Sequence, residues 1–415
     1  MNATEQKALL AILHDGDLLA AIDYVEGACK PSKPEAAPAP KPPTASAGVT
    51  TVNTKALKHA VALVKKAADA KAANPLYGMI RVEAEAGGLT LAANDMDVAA
   101  RIRIPATVAA LGVVLVNGAA LADVVKGLRG TETQLALGSR ALVVDGMPLA
   151  AQEDKGGDFA LPVVEGEPDV VILAEHLSAL IAGVRFAISR VQDTRFATEG
   201  ILFERSGTEL VAVGTDGRRL ARMKRAADWT APKARAVLLP DGLDLLAAYL
   251  KKAAPGASVA CWLHGNRAGF VEGPDVTIWT RTLAGEFPNY DNVIPKGPQA
   301  HNARFNPADA VAALEQLKAY YVKEAPVVRV EFDPEGARVV FHAEREGLGA
   351  ASAEVSAEVS GPALKTAFNP YYLTEGLKAA TEGAVTMHQA RAVVLARFDI
   401  GDQHSYTVMP LSLLA

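Results

Sequence analysis

The feature that most constrains this chain is that it repeats itself three times between about Gly48 and Ala415. An amphipathic helical pattern opens each unit, near Asn53, Ala174 and Asn306, with starts 121 and 132 residues apart. Strand, turn, strand, turn, strand follows in each, over 78–104, 200–225 and 327–355. The first turns carry Gly87-Gly88, Ser206-Gly207 and Glu335-Gly336, residues that suit hairpins. A second helical pattern opens at Asn117, Pro240 and Asn369, which lie 64, 66 and 63 residues after the first. Asn117, Asp241 and Asn369 are the expected caps or near-caps. A second alternating strand set then completes each unit. Such a repeat predicts an α+β chain of three domains on one plan, each with two helices on antiparallel sheet. The boundaries read 49–167, 168–297 and 298–415.

Residues 1–30 stand apart. They hold two short helical patterns, Glu5 to Leu13 and Leu18 to Val25, too short for an independent domain; a small helical hairpin and a partly ordered tail are the two readings. The Pro/Ala-rich run 31–48 is expected to be an extended linker.

Several classes of function are not signalled. The two cysteines, Cys29 and Cys261, are too few for a disulfide scaffold or a cysteine-rich zinc module. No phosphate-binding glycine motif, zinc-ligand spacing or nucleophile elbow occurs, so no cofactor, metal or catalytic residue is assigned. No signal peptide and no run of 18 apolar residues is present, which points to the cytoplasm and away from a membrane. A binding protein is the expectation.

Charge gives the first hint of what is bound. The helical segment 54–72 sets Lys55, Lys58, Lys65, Lys66 and Lys71 against Asp69, a net +4. Segments 118–129 and 174–190 carry +1 each and the other three balance. The helices therefore total +6 in a chain of net −5. Two readings stand. Bases near helix C-termini complement the helix dipole in any soluble protein. Repeated on one face of three domains, they also make a surface that attracts phosphates without reading sequence.

Four stretches carry a resemblance. TRFATEGILFERSGTELVAVGTDGRRLA (194–221), LAGEFPNYDNVIPKG (283–297), SYTVMPL (405–411) and, more loosely, NPLYGMIRVEAEAGGLTLAANDMDV (74–98) are similar to the bacterial DNA polymerase III beta subunit, the sliding clamp family. The likeness covers about Val49 to Leu413. It implies half of a closed ring: two chains joined head to tail, domain 1 against domain 3, with duplex DNA through the hole and no chemistry performed. It also implies a cleft between domains 2 and 3 that takes short linear peptides of DNA polymerase and clamp loader.

Carried over by motif, the cleft walls are Thr198, Thr215, Gly217, Arg218, Arg219, Leu220, Pro288, Val293, Thr407, Val408, Met409, Pro410 and Leu411. For Leu220, Val293 and Val408, plain core packing is the competing reading. The resemblance makes Lys71, Gln192 and Phe196 DNA contacts. Lys65, Lys66, Arg185, Arg190 and Arg195 join them on charge and position alone. Tyr320 and Tyr321 fall where domain 3 meets its partner copy, with helix-end packing as the alternative. The chain departs from the family at Asn292, Ser412 and Thr198 and runs on through Leu414 and Ala415, which makes the cleft rim less basic and one side less apolar. A monomeric clamp-like scaffold is the alternative among binding proteins. A hydrolase using Asp95, Asp97 and Asp216 beside an interdomain cleft is the alternative of another class.

Overall fold

The computed structural model describes residues 48–154, 159–191, 196–380 and 383–412. The expected N-terminal hairpin and nearly all of the linker lie outside them, as do Gln192, Arg195, Leu414 and Ala415.

The helical patterns form where the sequence places them but end sooner. The helices are α1 (Thr54–Val64), α2 (Gly118–Gly127), α3 (Ala174–Val184), α4 (Pro240–Leu250), α5 (Pro307–Gln316) and α6 (Pro370–Lys378). Asn53, Asn117, Asn306 and Asn369 accept from backbone amides of the first turn. This satisfies donors that would otherwise lack partners. Asp241 instead sits inside the first turn of α4, and the cap position is Leu239, which offers no side-chain acceptor. Each first helix of a domain tightens into one 3-10 turn at its end, Lys65–Ala67, Arg185–Ala187 and Lys318–Tyr320. On α1 the buried set Leu57, Ala60, Val61 and Val64 follows helical spacing, so one stripe faces the sheet. Within each domain the two helices pack against one another.

The strands show the period of two expected of half-buried sheet. In Met79–Glu85, Ile80, Val82 and Ala84 are buried while Arg81, Glu83 and Glu85 point outward. The first hairpins close as read, at Glu85↔Gly88, Ser206↔Glu209 and Asp333↔Arg338.

Pairing does not stop at domain boundaries. The strands form one 13-stranded and one 12-stranded sheet, and each crosses a boundary. At the first joint, Val98–Val108 of domain 1 pairs with Val276–Arg281 of domain 2, in register from Val98↔Thr280 to Ile102↔Val276. Arg281 reaches Asp97 at 2.6 Å and Arg103 reaches Asp275 at 3.4 Å across it. At the second joint, Arg219–Ala226 of domain 2 pairs with His404–Val408 of domain 3, from Arg219↔Val408 to Met223↔His404. Both joints join the third strand of a domain's first set to the last strand of the next domain's second set.

That rule leaves two strands over. The third strand of domain 3, Gly349–Ser360, pairs with Arg338–Arg345 and, through 357–360, with His301–Phe305. The last strand of domain 1, Met147–Glu153, pairs with Ala141–Val144 and, through 151–153, with Gly112–Asn117. Among the described residues the outer sides of 349–353 and 147–150 have no partner strand.

Tight packing at the second joint gives a first test. A Cβ at Gly376 of α6 would overlap the ring of Tyr406, which is 1% exposed. Gly376→Ala gains up to about 1 kcal/mol in helix propensity. Forcing an extra carbon into a filled core costs about 1–3 kcal/mol. A net loss of stability in urea unfolding is expected.

Candidate nucleic-acid and peptide interfaces

The basic candidates sort by whether their charge is already taken. Lys65 and Lys66 lie on the 3-10 turn after α1, and Lys71 a turn further on; all three are exposed. Among the described residues none of them has an ion-pair partner. Arg185, at the equivalent turn after α3, differs. Its Nε and Nη2 donate to the two carboxylate oxygens of Asp244 on α4, each at 2.9 Å. Its charge ties α3 to α4, which leaves it less free for a phosphate than the three lysines. Arg190 projects with a side chain 87% exposed and, among the described residues, pairs only with Glu375, at 3.8 Å. Phe196 is 42% exposed. Lys318 occupies the same turn in domain 3, paired with Glu315 at 3.4 Å. Sequence reasoning missed it, although a base after each first helix was legible from the repeat.

Of the cleft candidates, Arg219, Leu220, Thr407 and Val408 lie on one strand pair, on both of its faces. Leu220 and Thr407 are direct partners. Leu220 belongs to an apolar cluster outside the sheet with Ala197, Leu202, Val211, Val213, Val237, Phe287 and Tyr290, and Ile294 packs on it. Val293, beside Ile294, is 45% exposed and Met409 is 52% exposed. The turn before Leu220 is firmly built. Thr215 Oγ1 accepts from the Gly217 amide at 3.1 Å and donates to the Arg219 carbonyl at 2.7 Å. Asp216 accepts from the amides of Arg218 and Arg219 at 2.9 and 3.0 Å. Gly217 takes φ 81°, a conformation open to glycine at no cost. The Arg218 carbonyl accepts from the Met409 amide at 2.9 Å, and the Leu411 amide donates to Ala367. Pro288, Pro410 and Leu411 are half-buried, Arg218 is exposed, and Thr198 is buried.

Arg219 and Val408 are corrected out of this set. Neighbours on a strand face opposite ways, so a strand that turns Leu220 toward the cleft turns Arg219 inward. Arg219 is 6% exposed. Its guanidinium donates to Asp216 at 3.0 Å, to the Phe186 carbonyl at 2.7 Å and to Glu375 of α6, and it stacks over the Tyr372 ring at 4.5 Å. Val408, fully buried, packs in the main core. Arg219 thus bolts domain 2 to domain 3 under the cleft floor.

Of the two tyrosines, Tyr321 is 5% exposed, and its hydroxyl donates to the Leu314 carbonyl at 2.8 Å. Burial pushes its pKa up. It packs edge-on to Tyr371 with ring centroids 6.2 Å apart. The expectation of a partner contact at Tyr321 is corrected to core packing. Tyr320 is half-buried, and Tyr371, which sequence reasoning missed, is 42% exposed.

The acids of the hydrolase alternative have structural tasks. Asp95 accepts from the amides of Asp97 and Val98, and burial raises its pKa. Asp97 pairs with Arg281. Asp216 holds the Arg219 turn. Among the described residues no three His, Cys, Asp or Glu side chains converge as a metal site. No helix among them is long and apolar enough to cross a membrane.

Comparison with known proteins places this geometry. Residues 49–165 match the family model for the N-terminal domain of the DNA polymerase III beta subunit, and 172–289 match that for its central domain. A beta sliding clamp of Synechococcus elongatus is 26% identical over 373 residues, covering 86% of this chain and 97% of the relative. One from Streptomyces coelicolor is 27% identical over 379 residues, covering 86% and 97%. Among solved structures, the DNA polymerase III beta subunit of Thermotoga maritima aligns with a TM-score of 0.79 at 21% identity, over 88% of this chain and 100% of that one. A sliding clamp from Bacillus subtilis gives 0.79 at 19% identity with the same coverage. Two successive domain models matched in order, on a chain built of three like units, mean that it belongs to the DNA polymerase III beta subunit family.

Proposed function

We propose that this protein is a DNA sliding clamp: two copies close head to tail around duplex DNA in the cytoplasm and tether a DNA polymerase to it. One observation carries the ring. Two joints are made within the chain by a single strand-pairing rule, and among the described residues the same rule leaves one open edge in domain 1 and one in domain 3. A second copy satisfies both edges at once. Heterologous contacts of this kind close when the rotation between copies fits. The basic turns at Lys65, Lys66 and Lys71, with Arg190, then supply phosphate contacts that ignore sequence, so the ring holds DNA and still slides.

The exposed apolar side chains Val293 and Met409, over the buried cluster that holds Leu220, suit one or two anchor side chains of a short linear peptide from polymerase or clamp loader. The reading assigns no reaction to the protein.

Sedimentation equilibrium tests the ring: the expected mass is twice the 43.4 kDa of the chain. A single-chain mass at every concentration supports the monomeric scaffold instead. The cleft has its own test. Met409→Glu with Val293→Glu puts two charges where apolar anchors would sit. Polymerase stimulation on primed circular DNA should fall at least about ten-fold, since two anchor contacts of 2 kcal/mol or so are lost. The sedimentation mass should not change.

A further inference from the structure

We infer that Pro148 makes the joint between copies the weakest of the ring's joints, by removing a backbone donor from the open edge of domain 1. The inference rests on the ring reading above. The turn Asp145-Gly146 has two residues with φ 45° and 78° and joins Val144 to Met147 as partners. In a two-residue hairpin the flanking pair is hydrogen-bonded, and bonded pairs alternate along the ladder. The Ala151 amide confirms the phase, donating to the Arg140 carbonyl at 3.0 Å, four residues on from Met147. Residues 147, 149 and 151 therefore point their amides at the neighbouring strand. Residues 148 and 150 point theirs at the open edge. One of those two outward donors is absent, because proline has no N–H.

The opposite edge has the same phase. The Ala357 amide donates to the Ala337 carbonyl at 2.9 Å, so odd-numbered residues of Gly349–Ser360 bond inward, and Ala350 and Ser352 face out. Whichever of these lies across from Pro148, its carbonyl faces a ring carbon instead of an amide.

The joints within the chain have no such gap. Arg103 donates to the Asp275 carbonyl and Arg281 to that of Asp97, at 2.8 and 2.7 Å, so the bonded positions between them are Thr277 and Trp279. At the second joint, Lys224 donates to Gln403 and Met409 to Arg218, both at 2.9 Å, which makes Ser405 and Thr407 the bonded positions. All four residues carry an amide hydrogen. The first joint adds two ion pairs and the second adds the Arg219–Glu375 link. The open strands, Met-Pro-Leu-Ala at 147–150 and Gly-Ala-Ala-Ser-Ala at 349–353, carry no charge. Within these two strands no side-chain charge offsets a missing ladder bond, so its loss weighs on the joint.

The test restores the donor with Pro148→Ala and Pro148→Thr in the full-length chain. Dimer dissociation constants come from sedimentation at graded concentration, and the rate of exchange between labelled and unlabelled copies is followed in parallel. A regained bond is worth about five-fold per joint, hence about 25-fold in the dissociation constant of a two-joint ring. Subunit exchange should slow in step. Because the amide is common to both variants, both should tighten the dimer. If all three proteins dimerise with equal affinity, the role of Pro148 is refuted and the ring stands. If all three remain single chains at high concentration, the ring itself is refuted. Urea unfolding at concentrations where each protein is a single chain reports any effect of proline on the fold itself.

Discussion

Changing Lys65, Lys66 and Lys71 together to glutamate should cut loading onto nicked circular DNA at least about ten-fold while leaving the sedimentation mass unchanged. The three ammonium groups are exposed and free of ion pairs among the described residues, so the fold loses almost nothing. A clamp of two chains loses six phosphate contacts. Each contact contributes about 0.9 to the slope of log affinity against log salt on duplex DNA. The slope should therefore become shallower by up to about five, and that change is the specific readout. Equal slopes for the two proteins would show that these lysines only complement the dipole of α1. Arg185 is the internal control. Its charge is held by Asp244, so Arg185→Gln should move the slope much less than the loss of one free lysine.

Arg219→Ala should destabilise the chain by about 2–4 kcal/mol, from the cavity left in a packed joint and the loss of the donor to a buried carbonyl. The guanidinium satisfies a carbonyl and two carboxylates that belong to two domains, and its side chain is 5% exposed. Removing it leaves the Phe186 carbonyl without that donor, opens a cavity beside Tyr372 and removes the side-chain tie between strand 219–226 and α6. Arg219→Met should lose less, because it refills the cavity; in both variants Asp216 keeps its two backbone donors and Glu375 is partly exposed. Urea unfolding with domain-specific probes should show domain 3 releasing first in the alanine variant. A midpoint unchanged from the parent would mean that the bolt contributes nothing net.

The parts of this fold that were legible in the sequence are those with a local cause. Asn53, Asn117, Asn306 and Asn369 announce helix starts because a capping side chain acts within three residues. The hairpins at Gly87-Gly88 and Ser206-Gly207 are legible for the same reason. Helix ends were less so: the apolar stripe runs past Val64 and Val184, yet the backbone tightens into a 3-10 turn there and changes direction. The ladder from Val98↔Thr280 to Ile102↔Val276 links residues some 180 apart and has no local signature. The pairing of Arg185 with Asp244 is hidden likewise. Arg219 is a different case. Its neighbour Leu220 shares a strand with it, and alternation alone assigns the two to opposite faces. The resemblance grouped them in one cleft because they are adjacent in a motif.

The continuity of the two sheets through both boundaries governs how this chain can be divided. A fragment ending near residue 297 would keep two of the repeated units but strip His404–Val408 from Arg219–Met223. That bares a run of unsatisfied amides and carbonyls beside an apolar floor, the kind of edge on which polypeptides stack without limit. Proteolytic nicks in the loops would release no free-standing piece, since the severed parts remain laced by their ladders. In this molecule the repeated unit is a unit of plan, and a cut between units bares a ladder that the intact chain keeps paired.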